Sequence, residues 1–489
     1  MTNPNRPPVP SAGLAPGGLW PAHIPRPQAP GAPIAARPQR TQAPTKRDEP
    51  QATGPQDIAQ ARMPWTGVQW TLIYVGFLGY VLAVTTYRLP IGDISMVVAL
   101  LGLLTQRDRF RVPGLLVGLG VFLTWCVIGY VVTRDPGLVW DRLQIVGKLW
   151  LIGLVAANAL RTREQIRFFL VWWLACFAFY PVRGAIFNYY IYHETVVGRA
   201  SWNYIFSNPN DLAAYCILML GLALALLSLE RRGPVKMGTI AGLAMLPFLI
   251  LLTRSRGAFL GFAVFLLLVI MGHRKRIQAL LATAVLAIIV FSVAPPDVLN
   301  RVKGLESVES TGDLKDADQE GSAYQRFEIW KVARTIISDY PITGVGLGAY
   351  PAMHARYARR SQFDPTALGR RDTHSTYLNV TAETGFVGAF IYFFSYISAL
   401  LSINSVRRRV KKDLPHTSQS LFVFLCGVLG FFAAAVFGSM AHVSFLALTV
   451  IVAWCMSEVA RKEVEKIEAD RRNAAFGRAP QIDARAVPV

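Results

Sequence analysis

The stretch PNDLAAYCILMLGLALALLS (209–228) decides the fold class of this chain, because after Asp211 it carries no charged residue. A helix of about 20 residues rises about 30 Å, which is the thickness of the hydrocarbon core of a bilayer. We therefore predict an all-α polytopic membrane protein with about 12 transmembrane helices. Comparable apolar runs lie at 68–86, 89–105, 114–133, 137–159, 168–189, 236–253, 256–272, 276–293, 376–403, 418–439 and 441–459.

The composition excludes a water-soluble enzyme. Of the 489 residues, 53% are hydrophobic and 16% are charged, whereas a soluble globular domain carries about 25% charged residues. Lys and Arg total 50 against 30 Asp and Glu, a net charge of +20. In a membrane protein this excess is explained by topology, because basic residues accumulate in cytoplasmic loops. We therefore predict no nucleic-acid partner.

The positions of the basic residues predict the orientation. Among the short loops, alternate ones hold most of the basic residues, at 106–113, 161–167, 230–236, 273–276 and 405–412. This pattern places both termini in the cytoplasm and one large loop, 294–375, outside the cytoplasm between the ninth and tenth spans. The N-terminus lacks the apolar core of a signal peptide, so we expect no cleavage.

These patterns divide the chain into five parts. Residues 1–65 hold 15 of the 30 prolines and predict a disordered cytoplasmic tail. Residues 66–293 contain spans one to nine, 294–375 the outer loop, 376–460 spans ten to twelve, and 461–489 a charged cytoplasmic tail. The five cysteines all lie in apolar runs without a CxxC pair, so neither disulfides nor zinc are expected.

Within the outer loop, Phe327, Trp330, Val332 and Ile336 recur at helical spacing and predict a small amphipathic helix. The Gly-rich stretch ITGVGLGAYP (342–351) predicts a turn back to the membrane surface. Asp316 and Asp318 resemble a paired-carboxylate metal site, but neighbouring acids favour a solvated acidic loop. We expect no metal and no cofactor.

The basic residues that break the orientation pattern are candidates for anion binding. Arg254 and Arg256 lie on the predicted outer side with hardly any loop around them, and Arg183 and Arg199 lie on the same side. A guanidinium fork suits phosphate oxygens. Arginines that snorkel to lipid headgroups explain the same pattern, and both readings stay open.

Two further features are weaker signals. Asp141, Arg142 and Lys148 are charged residues inside the fourth span, but Asp141 there is explained as neutralising a neighbouring base, so this span stays off the candidate list. His374 lies where the outer loop meets a span, and imidazole can take a proton from a hydroxyl near neutral pH. From its position alone, His374 could act as a general base or have no catalytic role.

Taken together, the motifs resemble the O-antigen ligase and polysaccharide polymerase superfamily of bacterial envelope glycosyltransferases. The resemblance covers about residues 68–460 and depends on the order of the motifs. The first is an R-x3-L element at Arg256 and Leu260, and the second is Arg326 and Trp330 followed by PITGVGLG (341–348). The third is His374-Ser375 with Gly385 after nine residues, with Glu383 and Gly388 close to that glycine. Asn208-Pro209-Asn210 also resembles a common element of the family.

The resemblance implies a metal-independent, inverting membrane transferase in the bacterial inner membrane, with its site facing the periplasm. Its donor would be a glycan on undecaprenyl pyrophosphate, and its acceptor a glycan, lipid A core or a protein. By the same resemblance, Arg254 and Arg256 bind the pyrophosphate with Arg199 and Arg326 as weaker partners, His374 is the base, and Glu383 supports it. A flippase and a chain-length regulator are expected partners.

Three alternatives remain at this stage. The motifs are shared by polymerases and ligases, and the absence of any lipid A core signal favours polymerase or exopolysaccharide assembly only slightly. Intramembrane charges also fit a secondary transporter or a lipid-linked glycan flippase. A non-enzymatic scaffold would leave the outward arginines without a purpose.

Overall fold

A computed structural model describes residues 65–86, 89–106, 110–230, 233–272, 276–292 and 322–477. Helices dominate this part of the chain, and its one β feature is an isolated bridge between Val196 and Arg199. The predicted Pro-rich tail, apart from its last residue, and the Asp316 and Asp318 pair lie outside the described residues. The prediction of an α-helical chain is therefore confirmed for the described part.

Fifteen α-helices are described. They are α1 (Leu72–Thr86), α2 (Gly92–Leu104), α3 (Gly114–Val132), α4 (Pro136–Ala159), α5 (Arg163–Phe177), α6 (Arg183–Phe187), α7 (Pro209–Leu229), α8 (Pro234–Leu252), α9 (Arg256–Gly272), α10 (Arg276–Ser292), α11 (Ser322–Asp339), α12 (Tyr350–Tyr357), α13 (Thr376–Val410), α14 (Pro415–Ala434) and α15 (Ser444–Gly477).

Six helical segments in the described residues are long and apolar enough to cross a membrane. They are Gly114–Val132, Arg163–Tyr192, Pro209–Leu229, Pro234–Leu252, Thr376–Val410 and Pro415–Phe437. Helices α1, α2, α9 and most of α10 are apolar but shorter. A helix occupies each of the twelve predicted runs, while twelve as a number of membrane spans stays a prediction.

The segment 163–192 departs from its predicted boundaries. The basic stretch 161–167 was expected to be a loop, but α5 begins at Arg163 because Thr162 and Gln165 form a capping box. The helix then continues to Tyr192 through two π-helical turns, Ala178–Val182 and Asn188–Tyr192, on either side of α6. Pro181 lies inside the first of these turns, where a regular helix would need its missing N–H.

Helix α14 is at the centre of the helical body, packed against α7 and α9. Small residues allow this approach, since a Cβ added at Gly221 would lie 3.1 Å from the Cα of Gly427. Where lipid surrounds a bundle, close backbone packing replaces the hydrophobic effect as the force between helices. Helix α13 packs against α3 and α15.

The described part of the outer loop folds onto one end of this body. The predicted amphipathic helix is present as α11, and it buries Val332 and Ile336. Helix α12 is tied to the start of α4 by a bidentate ion pair, in which Arg356 donates to the two carboxylate oxygens of Asp135 at 2.7 and 2.8 Å. We call this end of the body, where α11 and α12 lie, the loop end.

Helix α13 is kinked at Gly385, whose backbone has φ +67° and is not helical. The kink receives the Gly-rich turn 341–346. Phe386 N donates to Pro341 O at 2.8 Å, Val345 N to Ala382 O at 3.0 Å, and Gly346 N to Glu383 O at 2.9 Å. A Cβ at Gly385 would lie 2.0 Å from Ile342 O, so only glycine permits this docking.

Candidate functional site

His374 lies in a short turn that two buried hydroxyl residues hold in place. The Thr373 hydroxyl donates to Ser375 O at 2.8 Å and accepts from Ser375 N at 3.2 Å, so it closes the backbone around His374. His374 itself has φ +50°, a left-handed conformation that costs a non-glycine residue about 1–3 kcal/mol. Such strain persists only where the surrounding structure over-determines it.

The surrounding structure is the segment 437–440, which follows α14. Ser439 Oγ lies 3.0 Å from Thr373 Oγ1, and Thr376 Oγ1 donates to Gly438 O at 2.7 Å. Met440 N donates to Thr376 Oγ1 at 2.8 Å, which adds a third bond between the two segments. The His374 turn is therefore attached to the end of α14 by several hydrogen bonds.

Trp330 on α11 holds the other side of the turn. Its Nε1 donates to Thr373 O at 2.8 Å, and its ring stacks on Phe437 with the centroids 6.1 Å apart. Trp330 and the His374 motif, which the sequence placed 44 positions apart, are thus in contact. The amphipathic helix of the outer loop has a direct part in positioning His374.

The environment of His374 keeps its imidazole neutral. Burial, together with the positive charges of Arg326 and Arg371, lowers the pKa of His374 to about 4. At neutral pH the ring therefore carries one proton and has one nitrogen lone pair available as a base. The structure places Arg326, a predicted pyrophosphate ligand, close enough to His374 to act on its charge.

Asp372 lies beside the same turn. Its carboxylate accepts hydrogen bonds from Ser439 Oγ and from Thr373 N, both at 2.9 Å. Burial among protein atoms raises the pKa of Asp372, with the negative charge of Glu383 adding to the shift, while the Ser439 bond and the charge of Arg142 oppose it. Asp372 was missing from the predicted site, because a lone Asp before a His carries no specific signal.

Arg199 and Arg254 lie together at the junction of α8 and α9. Arg199 Nε donates to Thr253 O at 2.8 Å, and its Nη2 donates to Asn210 Oδ1 at 2.6 Å. Arg254 Nη2 donates to the Tyr189 hydroxyl at 3.1 Å. Both guanidinium groups are half-buried, and the acceptors of these three bonds are neutral oxygens.

Backbone strain in the described residues is concentrated around these groups. Five non-glycine residues have a left-handed backbone: Arg254 and His374 themselves, and His193, Val197 and Tyr204, which flank Arg199. For the β-branched Val197 this conformation is a marked outlier. Strained backbone tends to cluster at functional sites. Here it includes Arg254 and His374, two residues that the sequence predicts to be functional.

Arg256 is the first residue of α9, and its neighbour connects it to the His374 turn. A Cβ added at Gly257 would lie 2.8 Å from the Cβ of Phe437, so this part of α9 is in contact with Phe437. Because Phe437 stacks on Trp330, the start of α9, where Arg256 lies, is connected to the His374 turn through these two aromatic rings. The structure therefore brings all predicted site arginines to the loop end.

Glu383 lies below the kink of α13 and is buried. Its Oε1 accepts from Asn379 Nδ2 at 3.2 Å, and its Oε2 lies 3.7 Å from Nε2 of His442. Its immediate polar neighbours are therefore Asn379 and His442. Any support that Glu383 gives to His374 would therefore be indirect. It would act through the negative charge of the carboxylate or by stabilising the kink at Gly385.

Sequence reasoning also left out Arg142 on α4. Its Cβ lies 2.9 Å from the position of a Cβ added at Gly348, and its positive charge acts on the carboxyl of Asp372. The charge of Arg142 inside an apolar run was visible in the sequence. Its contact with a turn that lies 206 positions further along the chain was not.

An apolar cavity of about 320 Å³ opens among α5, α7 and α8. Its lining includes Leu174, Phe179, Val182 and Met245, with Arg183 as its one charged residue. The Arg183 guanidinium stacks over Phe187, 4.4 Å from the ring centroid. A cavity of this kind has the size and character of a site for a hydrocarbon chain.

The comparison with known families agrees with the motifs. A family model described as O-antigen ligase matches residues 240–393, from within α8 to the first part of α13. The matched segment includes Arg254, Arg256, Arg326, His374 and Glu383, whereas Arg199 precedes it. The resemblance to the O-antigen ligase and polymerase superfamily is thereby confirmed. No curated protein sequence matches the chain.

Proposed function

We propose that this membrane protein transfers or polymerises a glycan from an undecaprenyl pyrophosphate carrier onto an acceptor hydroxyl. The observation that carries the proposal is the position of a neutral His374 beside several arginines, within the segment that the O-antigen ligase model matches. We place the reaction at the outer face of the bacterial inner membrane, with both termini in the cytoplasm, on the basis of the basic loops.

In the proposed reaction the acceptor oxygen attacks the anomeric carbon and the bond from that carbon to the pyrophosphate breaks. The lipid pyrophosphate leaves with the bonding electron pair, and His374 receives the hydroxyl proton. One in-line displacement of this kind inverts the anomeric configuration. Arg254, Arg256 and Arg199 would stabilise the negative charge that grows on the leaving group, since charged donors already in position need no reorganisation.

The low pKa of His374 fits an ordered mechanism. In the free protein Arg326 and Arg371 contribute to lowering that pKa. A bound pyrophosphate brings negative charge that offsets theirs and raises the pKa of His374 toward the range of an effective base. Donor binding thus prepares His374 to accept the proton, while the apolar cavity beside Arg183 offers space for part of the lipid chain.

The test is a gel of surface glycans from a deletion strain that expresses either wild-type protein or His374→Ala. A matched control is His416→Ala, because His416 is exposed at the start of α14, at the other end of that helix. Loss of the long ladder with one repeat attached identifies a polymerase. Long glycan that stays on its lipid carrier identifies a ligase, and an unchanged pattern contradicts the proposal in favour of transport or scaffolding.

A further inference from the structure

The body has a second polar site at the end opposite His374. Arg142 acts on Asp372 at the loop end, and Ala159, 17 positions later, is the last residue of α4, two residues before Arg161. At 1.5 Å per residue these 17 positions span about 26 Å along the helix axis. Two adjoining pockets share Arg161 there, with volumes of about 340 and 290 Å³.

The first pocket is basic. It is lined by Phe110, Arg111, Arg161 and Lys462, three cations and one aromatic ring without a carboxylate. Two carboxylates nearby on α15 are paired with other arginines: Glu463 contacts Arg163, and Glu458 contacts Arg461. Among the residues that the structure describes, the lining thus brings three cationic side chains together, which favours an anion.

Two of the cations are held in place before any ligand binds. Arg111 donates through Nη2 to Leu160 O at 3.3 Å and lies 5.8 Å from the ring centroid of Trp454. Its Nε is buried and donates to none of the residues that the structure describes. Arg161 donates through Nε and Nη2 to the backbone and side-chain oxygens of Asn158, both at 2.9 Å. Preorganised donors of this kind bind phosphate oxygens at low entropic cost.

The second pocket is polar and, apart from Arg161, uncharged. Thr71, Gln106, Asn158 and Gln165 are among its lining residues. Within the described part of the chain, Thr71 Oγ1 and Gln106 Oε1 are buried without a hydrogen-bond partner. These groups suit a ligand that carries hydroxyl groups next to its phosphate.

The surroundings of the basic pocket identify the source of that phosphate. Phe110 and Val112, on either side of Arg111, are 46% and 41% exposed. Helix α3, which begins two residues after Val112, is one of the helices long and apolar enough to span the membrane. Exposed apolar side chains beside basic ones at the end of a span are typical of the membrane interface.

We propose that the two pockets around Arg161 bind one anionic glycerophospholipid, with its phosphate at Arg111, Arg161 and Lys462 and its hydroxylated headgroup in the polar pocket. The proposal does not depend on the glycan-transfer function, because the site lies at the other end of the body. The lipid in these pockets would be bound through the charge of its headgroup and would be distinct from any lipid substrate.

The test measures lipid binding to the purified full-length protein by native mass spectrometry, with phosphatidylglycerol and phosphatidylcholine of identical acyl chains. We expect phosphatidylglycerol to bind at least tenfold more tightly. Each basic residue near an anionic lipid contributes enough to weaken binding about fivefold when it is lost. Lys462→Gln should therefore weaken phosphatidylglycerol binding about fivefold, and Arg111→Gln by at least as much.

Lys466→Gln is the matched control, because it removes the same charge from an exposed position one turn further along α15. It should leave binding unchanged. Equal affinity for the two lipids, or equal weakening by Lys466→Gln and Lys462→Gln, would overturn the proposal. Displacement of phosphatidylglycerol by an equal concentration of inorganic phosphate would also overturn it, by identifying a soluble anion as the ligand.

Discussion

Replacement of Gly385 by alanine should detach the Gly-rich turn from α13. The added Cβ would lie 2.0 Å from Ile342 O and 2.8 Å from Pro341 O, and both are backbone atoms that cannot rotate away. To relieve the overlap, the turn 341–346 must move outward by about 1 Å, because contacts under about 3 Å are not tolerated. That movement breaks the three backbone hydrogen bonds between the turn and the kink.

The expected cost follows from these losses. Three hydrogen bonds contribute about 1 kcal/mol each, and alanine at φ +67° costs about 1–2 kcal/mol more. The docked turn should therefore be destabilised by about 4–5 kcal/mol, which is a factor of about 10³ in the local opening equilibrium. Glu383 lies in the first part of α13, and Thr373 lies three residues before the start of that helix. Because the His374 turn adjoins this part of α13, transfer activity should fall as well.

The assay is hydrogen–deuterium exchange of peptides that cover 341–349 and 380–388, read together with the thermal midpoint. Gly147→Ala on α4 is the control, since a Cβ there meets no atom within 4 Å and its backbone is helical. It should leave exchange unchanged and should not lower the thermal midpoint. If Gly385→Ala exchanges at the wild-type rate in these peptides, the steric reasoning is refuted.

Three further predictions concern the site. Because burial, Arg326 and Arg371 lower the pKa of His374 to about 4, kcat/KM should decline only as the pH falls through about 4, and kcat, measured with donor bound, should decline at a higher pH. Arg371→Gln should move the kcat/KM decline upward; profiles that coincide with wild type would contradict the assigned cause. Arg254→Gln should lower kcat by about 10²–10³, as the loss of one preorganised donor does; an unchanged kcat in a steady-state assay would remove Arg254 from the site. Arg142→Gln should lower activity at least tenfold through its charge near Asp372, whereas Lys148→Gln on the same helix should not; equal effects would indicate a general loss of charge.

The helices were predictable from the sequence because hydropathy is a local property. Each apolar run contains a helix, and the amphipathic pattern of Phe327 and Trp330 corresponds to α11. Boundaries were less predictable where a polar cap decides them. Helix α5 begins earlier than its apolar run because of Thr162, and α15 continues through its charged stretch to Gly477.

The candidate site could be predicted only where its residues belong to motifs. His374, Arg254 and Gly385 stand out by their motif or position, but the partners that hold the His374 turn do not. Ser439 lies 65 positions after His374, and its role depends on α14 ending beside that turn. Long-range contacts of this kind follow from tertiary packing, which neither composition nor periodicity determines.

The most direct test of the central claim uses purified protein in proteoliposomes with a glycan on undecaprenyl pyrophosphate and an acceptor glycan. Wild-type protein should form a new glycosidic bond and release the lipid pyrophosphate, while His374→Ala, with an unchanged thermal midpoint, should form none above background. Equal bond formation by the two proteins would contradict the role of His374. Movement of the donor across the bilayer without a new bond would contradict transfer itself.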